Sequence, residues 1–275
     1  MRIKHHYCLK NKIRLVDFLD KFQIPYEVDE SSCTFDLYED QEVYKKFIIQ
    51  FPFNTIASLK AVEYSKEELE NAQWLSVRNI SIKVQWEFDE KAFKKSCSYK
   101  KILTKELYHR HCEQVDVLSA VKPVRWGSRQ FFSGPNSADE IIFCSEKIKN
   151  ILENKWEGLE FWPMKKYNTS NYIKDLYQLY FSKRLPIEAF NSECLSICKG
   201  CGKKVIRIKG GAHPLEINKK YLKDQKSVYT TGDVLTKDKI GYNTFSLNIV
   251  SQDFYQYCEK HQMNRGMIYE PINLI

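Results

Sequence analysis

Two stretches of the chain share a pattern that few folds satisfy by accident. The first runs Ile141–Cys144, Ser145, a helical stretch, Gly158, then Leu159–Pro163. The second runs Leu247–Val250, Ser251, a helical stretch, Gly266, then Met267–Pro271. In both, apolar helix positions fall 3, 6 and 7 residues after the serine: Ile148, Ile151 and Leu152 in one, Phe254, Tyr257 and Cys258 in the other. In both, the proline follows the glycine by five, and only the serine-to-glycine spacing differs, 13 against 15. Each position has a physical reason. A serine caps a helix by accepting an amide hydrogen bond. An acid in the first turn, here Glu146 or Asp253, suits the helix dipole. Glycine takes the left-handed conformation that ends a helix, and proline ends a strand or sits at an edge. The pattern predicts an internal duplication, residues 141–164 and 247–272, each a strand–helix–strand unit, packed as a pseudo-symmetric pair.

The duplication also decides a tempting metal motif. Cys258 and His261 have ligand-like C-x-x-H spacing. Cys258 falls where the first copy has Leu152, on the buried face, and His261 where it has Lys155, on the wet face. Cys258 therefore reads as core.

Upstream, Leu15, Phe18, Leu19 and Phe22 form one apolar stripe, predicting a helix from Asn11 to Phe22. Cys33, Phe35 and Leu37 alternate as a strand, and residues 40–50 read as a second helix. Thr55 to Tyr64 reads as extended. Ser65 to Glu68 is a capping box that should open a helix to about Trp74. Ile80, Ile82, Val84, Trp86 and Phe88 alternate with polar residues as one long strand. The Gly-, Ser- and Pro-containing stretch from Trp126 to Ser137 is the expected division. The fold class is α+β: an N-terminal mixed domain, 1–132, then a domain at 137–275. The 275 residues suit about two domains.

No run approaches the roughly 20 apolar residues that span a bilayer. The basic N-terminus has no apolar segment of the kind a secretory leader carries, and nine scattered cysteines do not resemble a disulfide scaffold. The expectation is a cytoplasmic protein with no membrane contact.

Net charge is +8 but unevenly spread. Glu27, Asp29, Glu30, Asp36, Glu39, Asp40 and Glu42 form a run with no Lys or Arg among them. It reads either as a contact for a basic partner or as a solvated face. Between Lys199 and Lys226 lie nine bases against Glu216 and Asp224. That block reads as a nucleic-acid surface or as a solvated lysine-rich face.

Within the basic block, Cys198-Lys-Gly-Cys201-Gly-Lys has the form of a zinc knuckle. Two thiolates three residues apart can grip one tetrahedral Zn2+ ion. Cys194 or His213 could complete the site, and Cys112 with His109 or His111 is more remote. A bare turn and a redox pair are the other readings. No Gly-rich phosphate loop, H-E-x-x-H or G-x-S-x-G motif is present. His109-Arg-His111-Cys112 reads as surface chemistry without a catalytic role.

The segments IIFCSEKIKNILENKWEGLEFWP, ICKGCGKK and NIVSQDFYQYCEKHQMNRGMIYEP, in that order, resemble a bacterial family with paired CxxCG motifs. Some of its members are immunity proteins against toxins. The resemblance covers about half of the chain. Cys198 and Cys201 match the family's second CxxCG, and its first CxxC has no counterpart here. The resemblance implies a non-enzymatic protein that binds and neutralises a cognate toxin. The alternative is a zinc-knuckle nucleic-acid binder using residues 199–226.

Overall fold

The computed structural model describes residues 1–10, 13–52, 58–79, 82–84, 86–88, 118–127, 132–135, 141–197, 204–208, 215–231, 234–236, 244–245 and 247–275. The chain is α+β and divides into two units, Met1–Glu68 and Leu69–Ile275.

In the first unit the apolar stripes do what their periods require. Leu15, Phe18 and Leu19 are the buried face of helix Ile13–Lys21, and Phe47 anchors helix Glu42–Gln50. Cys33, Phe35 and Leu37 are buried on strand Ser32–Tyr38. These side chains join Tyr7 and Ile24 in one core. The Phe47 ring lies 4.9 Å from Tyr7 and 5.4 Å from Phe35. The sheet order is Tyr26–Val28, Ser32–Tyr38, Arg2–Lys10, Ser58–Glu63, antiparallel throughout. Each helix links two strands separated by one antiparallel neighbour. This is the split β-α-β topology of ferredoxin-like sheets. The predicted capping box is present: Ser65 N–H donates to Glu68 Oε2 (2.8 Å), and Glu68 N–H donates to Ser65 Oγ (3.2 Å). Its helix spans Lys66–Asn71 and stops short of Trp74, which opens a strand.

Among the described residues, the second unit contains two five-stranded sheets beside a four-stranded and a two-stranded one. In one, strand Tyr172–Phe181 lies between Leu159–Lys165 and Ile142–Cys144, antiparallel to both. Phe132–Pro135 follows, and then Ile82–Val84. In the other, strand Trp74–Asn79 lies between Met267–Leu274 and Asn248–Ser251, again antiparallel to both. Leu215–Ile217 and Tyr229–Thr230 flank that sheet. One buried core joins them, including Ile148 and Leu152 of helix Glu146–Leu152 with Phe254 and Cys258 of helix Gln252–Lys260. The Trp156 ring meets Phe254 edge-on at 5.1 Å.

Two expectations change. The chain divides after Glu68, not within Trp126–Ser137. Trp74–Asn79 hydrogen-bonds on both sides to C-terminal strands, so it belongs with them. Phe132–Pro135, within the stretch expected to divide the chain, is itself a strand in the first of these sheets. The single long strand expected over 80–88 is two, Ile82–Val84 and Trp86–Phe88. The first pairs with Phe132–Pro135 and the second with Leu118–Ala120. Ile80 lies outside the described residues.

Candidate functional site

The acidic run is built largely into the first unit's own architecture. Asp29 sits in the turn between strands Tyr26–Val28 and Ser32–Tyr38. Its Oδ1 accepts from the backbone N–H of Ser31 (2.7 Å) and Ser32 (2.6 Å), and its Oδ2 from the Ser32 hydroxyl (2.8 Å). Donors aimed at the ionised form lower the Asp29 pKa to about 2.

Strand register brings three more acids to basic partners. Asp36 lies opposite His6, with Oδ1 2.7 Å from His6 Nδ1 and Oδ2 3.6 Å from Lys4 Nζ. Asp40 accepts two bonds from the Arg2 guanidinium (2.9 and 3.1 Å), which itself lies 3.9 Å over the Tyr38 ring. Those bonds hold the Asp40 carboxyl below its ordinary value. Glu39 lies 2.7 Å from Nε2 of His5, a side chain only 1 % exposed. Glu42 makes a loose pair with Lys45, both exposed. Glu27 and Glu30 are exposed and carry no ion pair among the described residues.

A groove opens beside this run. Strand Tyr26–Val28 pairs only with Cys33–Phe35 of its longer neighbour. Pro25 precedes it and has no N–H to continue the ladder. The chain departs there, and a cavity of about 680 Å³ remains alongside Asp36–Tyr38. His6, Glu27, Asp36 and Tyr38 supply its polar wall, and Tyr26 and Val43 are among its less polar lining. The Tyr38 N–H is held by the Gln41 side chain (3.2 Å). The arrangement suits a cationic group carried on an apolar or aromatic stem. Of the acids named from sequence, Glu27 and Asp36 line this groove. Sequence reasoning missed His6, Tyr38 and Val43, because only the sheet register and the shortness of the edge strand bring them together.

Cys198, Cys201 and His213 lie outside the described residues, as do His109, His111 and Cys112. The strands before and after the knuckle, Ser192–Ile197 and Lys204–Ile208, pair antiparallel with Ile197 opposite Lys204. Cys194 is exposed on the first of them. Among the described residues, no group of three or more His, Cys, Asp or Glu side chains is placed to hold a metal ion. Cys258 is fully buried, while His261 is exposed. Burial pushes the Cys258 thiol up to about 12.

In the basic block, Arg207 pairs with Glu193. Lys226 pairs with Asp253 (3.2 Å) and lies 5.0 Å over the Trp156 ring. Lys219, Lys220 and Lys223 are exposed. Near them is a polar cluster with no sequence signal. Lys183 Nζ donates to the buried Ser227 hydroxyl (2.8 Å) and pairs with Glu157 (2.6 Å). Ser227 Oγ is also 2.8 Å from Asp224 Oδ2. Ser227 Oγ also donates to Glu157 Oε2 (3.1 Å), and the cluster ties the 224–228 segment to Glu157.

No family model, no curated protein and no solved structure matches this chain.

Proposed function

We propose that this chain is a non-enzymatic, cytoplasmic immunity protein that binds a cognate protein toxin and neutralises it by covering its active surface. The observation that carries the reading is the groove beside Asp36–Tyr38, where the unpaired carboxylate of Glu27 borders a partly apolar hollow. The resemblance of residues 140–275 to CxxCG immunity proteins supports the same reading. Opposed charge at such a surface speeds encounter and rejects wrong partners. A toxin that acts on nucleic acid or phosphate-bearing substrates needs a basic active surface, and an acidic groove is complementary to it. In this reading the second unit is scaffold, and any Zn2+ held by Cys198 and Cys201 is structural.

The test is co-expression with the product of the neighbouring open reading frame. Growth rescue and a co-purifying complex are expected, with Glu27→Lys weakening the complex by at least tenfold. Absence of both rescue and complex overturns the proposal.

A further inference from the structure

We infer that residues 74–275 are two copies of one module that have exchanged their central strands, so that each half is completed by a strand of the other. This inference does not rest on the proposed function.

The registers carry it. In one sheet Tyr177 stands between Cys144 and Pro163, and Leu179 between Ile142 and Phe161. In the other, Leu75 stands between Val250 and Pro271, and Val77 between Asn248 and Tyr269. Cys144 and Val250 each immediately precede the capping serine, and Pro163 and Pro271 each follow the glycine by five. The two central strands therefore sit in the same register against equivalent partners.

The equivalence extends beyond the repeat that the sequence displays. On the outer side, Phe143 faces Ser133, and Ile249 faces Tyr229. One residue further along those outer strands, Gly134 pairs in parallel with Ile82, and Thr230 with Arg184. Ile82 follows Val77 by five residues, as Arg184 follows Leu179. At the opposite edge, Lys166 bridges in parallel to Ala120, and Leu274 to Ile217. Tyr167 N–H donates to Ala120 O (2.9 Å), and Ile275 N–H to Ile217 O (3.0 Å). The helix starts agree too. Glu146 N–H donates to the Asp175 carboxylate and Gln252 N–H to the Gln73 backbone carbonyl, residues that each stand two before Tyr177 or Leu75. The two extra residues between Ser251 and Gly266 are two extra residues of helix.

Chain order makes the exchange explicit. Each module reads central strand, two flanking strands, inner strand, serine, helix, glycine, last strand. The central strand of the first module, Trp74–Asn79, lies among strands of the second. That of the second, Tyr172–Phe181, lies among strands of the first. After each central strand the chain returns to the edge of its own module, at Ile82 or Arg184. This is the topology of a strand-swapped dimer joined into one chain.

The test uses the full chain with a protease site inserted in the exposed turn at 168–171, where Asn168 has φ +57°. After cleavage, fragments exchanging central strands should run as one particle in gel filtration without denaturant. Fragments that separate there overturn the inference. A second measurement places the strand directly. With Cys8, Cys97, Cys112, Cys194, Cys198 and Cys201 changed to serine, oxidation of the Ser76→Cys, Glu270→Cys pair should link the two cleaved fragments on a denaturing gel, and the same chain without the pair should not link. Had the strands stayed in their own modules, Ser76 would take the place of Gln178, opposite Trp162. A Ser76→Cys, Trp162→Cys disulfide formed within the N-terminal fragment in its stead, read by mass spectrometry, refutes the exchange.

Discussion

Ser145 and Ser251 cap their helices, Glu146–Leu152 and Gln252–Lys260, in the same way. Each is extended with φ −76°, and each hydroxyl accepts from the backbone N–H three residues on, Ile148 or Phe254. They differ in one respect. Ser251 Oγ also donates to Gln225 O (2.6 Å), and the residue is fully buried. Loss of a helix cap costs about 1 kcal/mol. Ser145→Ala should cost about that much. Ser251→Ala should cost about 2 kcal/mol, because it also strands a carbonyl oxygen. Urea unfolding of the two variants checks the order, and equal losses would show that the Gln225 bond contributes nothing.

Gly158 has φ +85°, and a Cβ there would lie 2.7 Å from Val228 O and 2.8 Å from Lys183 Cγ. Conformational strain and a backbone clash act together, so Gly158→Ala should lose about 2–3 kcal/mol. The thermal midpoint measures this. A midpoint within a degree of wild type would mean that the 224–228 segment moves aside freely.

Asp29 predicts a pH dependence with a definite sign. Its carboxyl titrates near 2 when folded, against 3.8 ordinarily. A lowered folded value contributes stability that is fully present above the unfolded pKa and is lost as pH falls through the folded one. Between about pH 4 and pH 2, wild type should therefore lose stability more steeply than Asp29→Asn. Parallel unfolding curves over that window would contradict the turn geometry.

Thiol reactivity separates core from surface cysteines. Cys144 and Cys258 are buried, and burial raises both thiols. Cys8 and Cys194 are exposed. Brief alkylation of native protein at pH 8, read by mass spectrometry, should label Cys8 and Cys194 and spare Cys144 and Cys258. Rapid labelling of Cys258 would return it to consideration as a ligand beside His261.

The zinc reading has its own measurement. Metal analysis of the purified chain decides between the zinc-knuckle and bare-turn readings of Cys198 and Cys201: where one Zn2+ per molecule is found, Cys198→Ser should release it. A metal-free protein with unchanged stability would leave the knuckle a bare turn.

What the sequence displays is local. The stripe Leu15, Phe18, Leu19, the alternation Cys33, Phe35, Leu37 and the Ser65–Glu68 capping box each need only a few adjacent residues, and each forms. Helix caps and glycine turns of the two similar stretches were legible for the same reason. The division of the chain was not. Trp74–Asn79 finds its partners at the far end of the chain, and no local pattern reports which strands will lie beside it. The acidic run shows the same limit. Its composition was plain, but Arg2 meeting Asp40 and His6 meeting Asp36 follow from strand register. The groove owes its existence to a three-residue edge strand beside a seven-residue one, a mismatch visible only once both are placed.

The most direct test of the proposed function is hydrogen exchange on the full chain, alone and with the product of the neighbouring gene. Binding at the groove should slow exchange in residues 26–38 and leave helix Gln252–Lys260 unchanged. Protection confined to the second unit, with 26–38 exchanging as in the free protein, would contradict it.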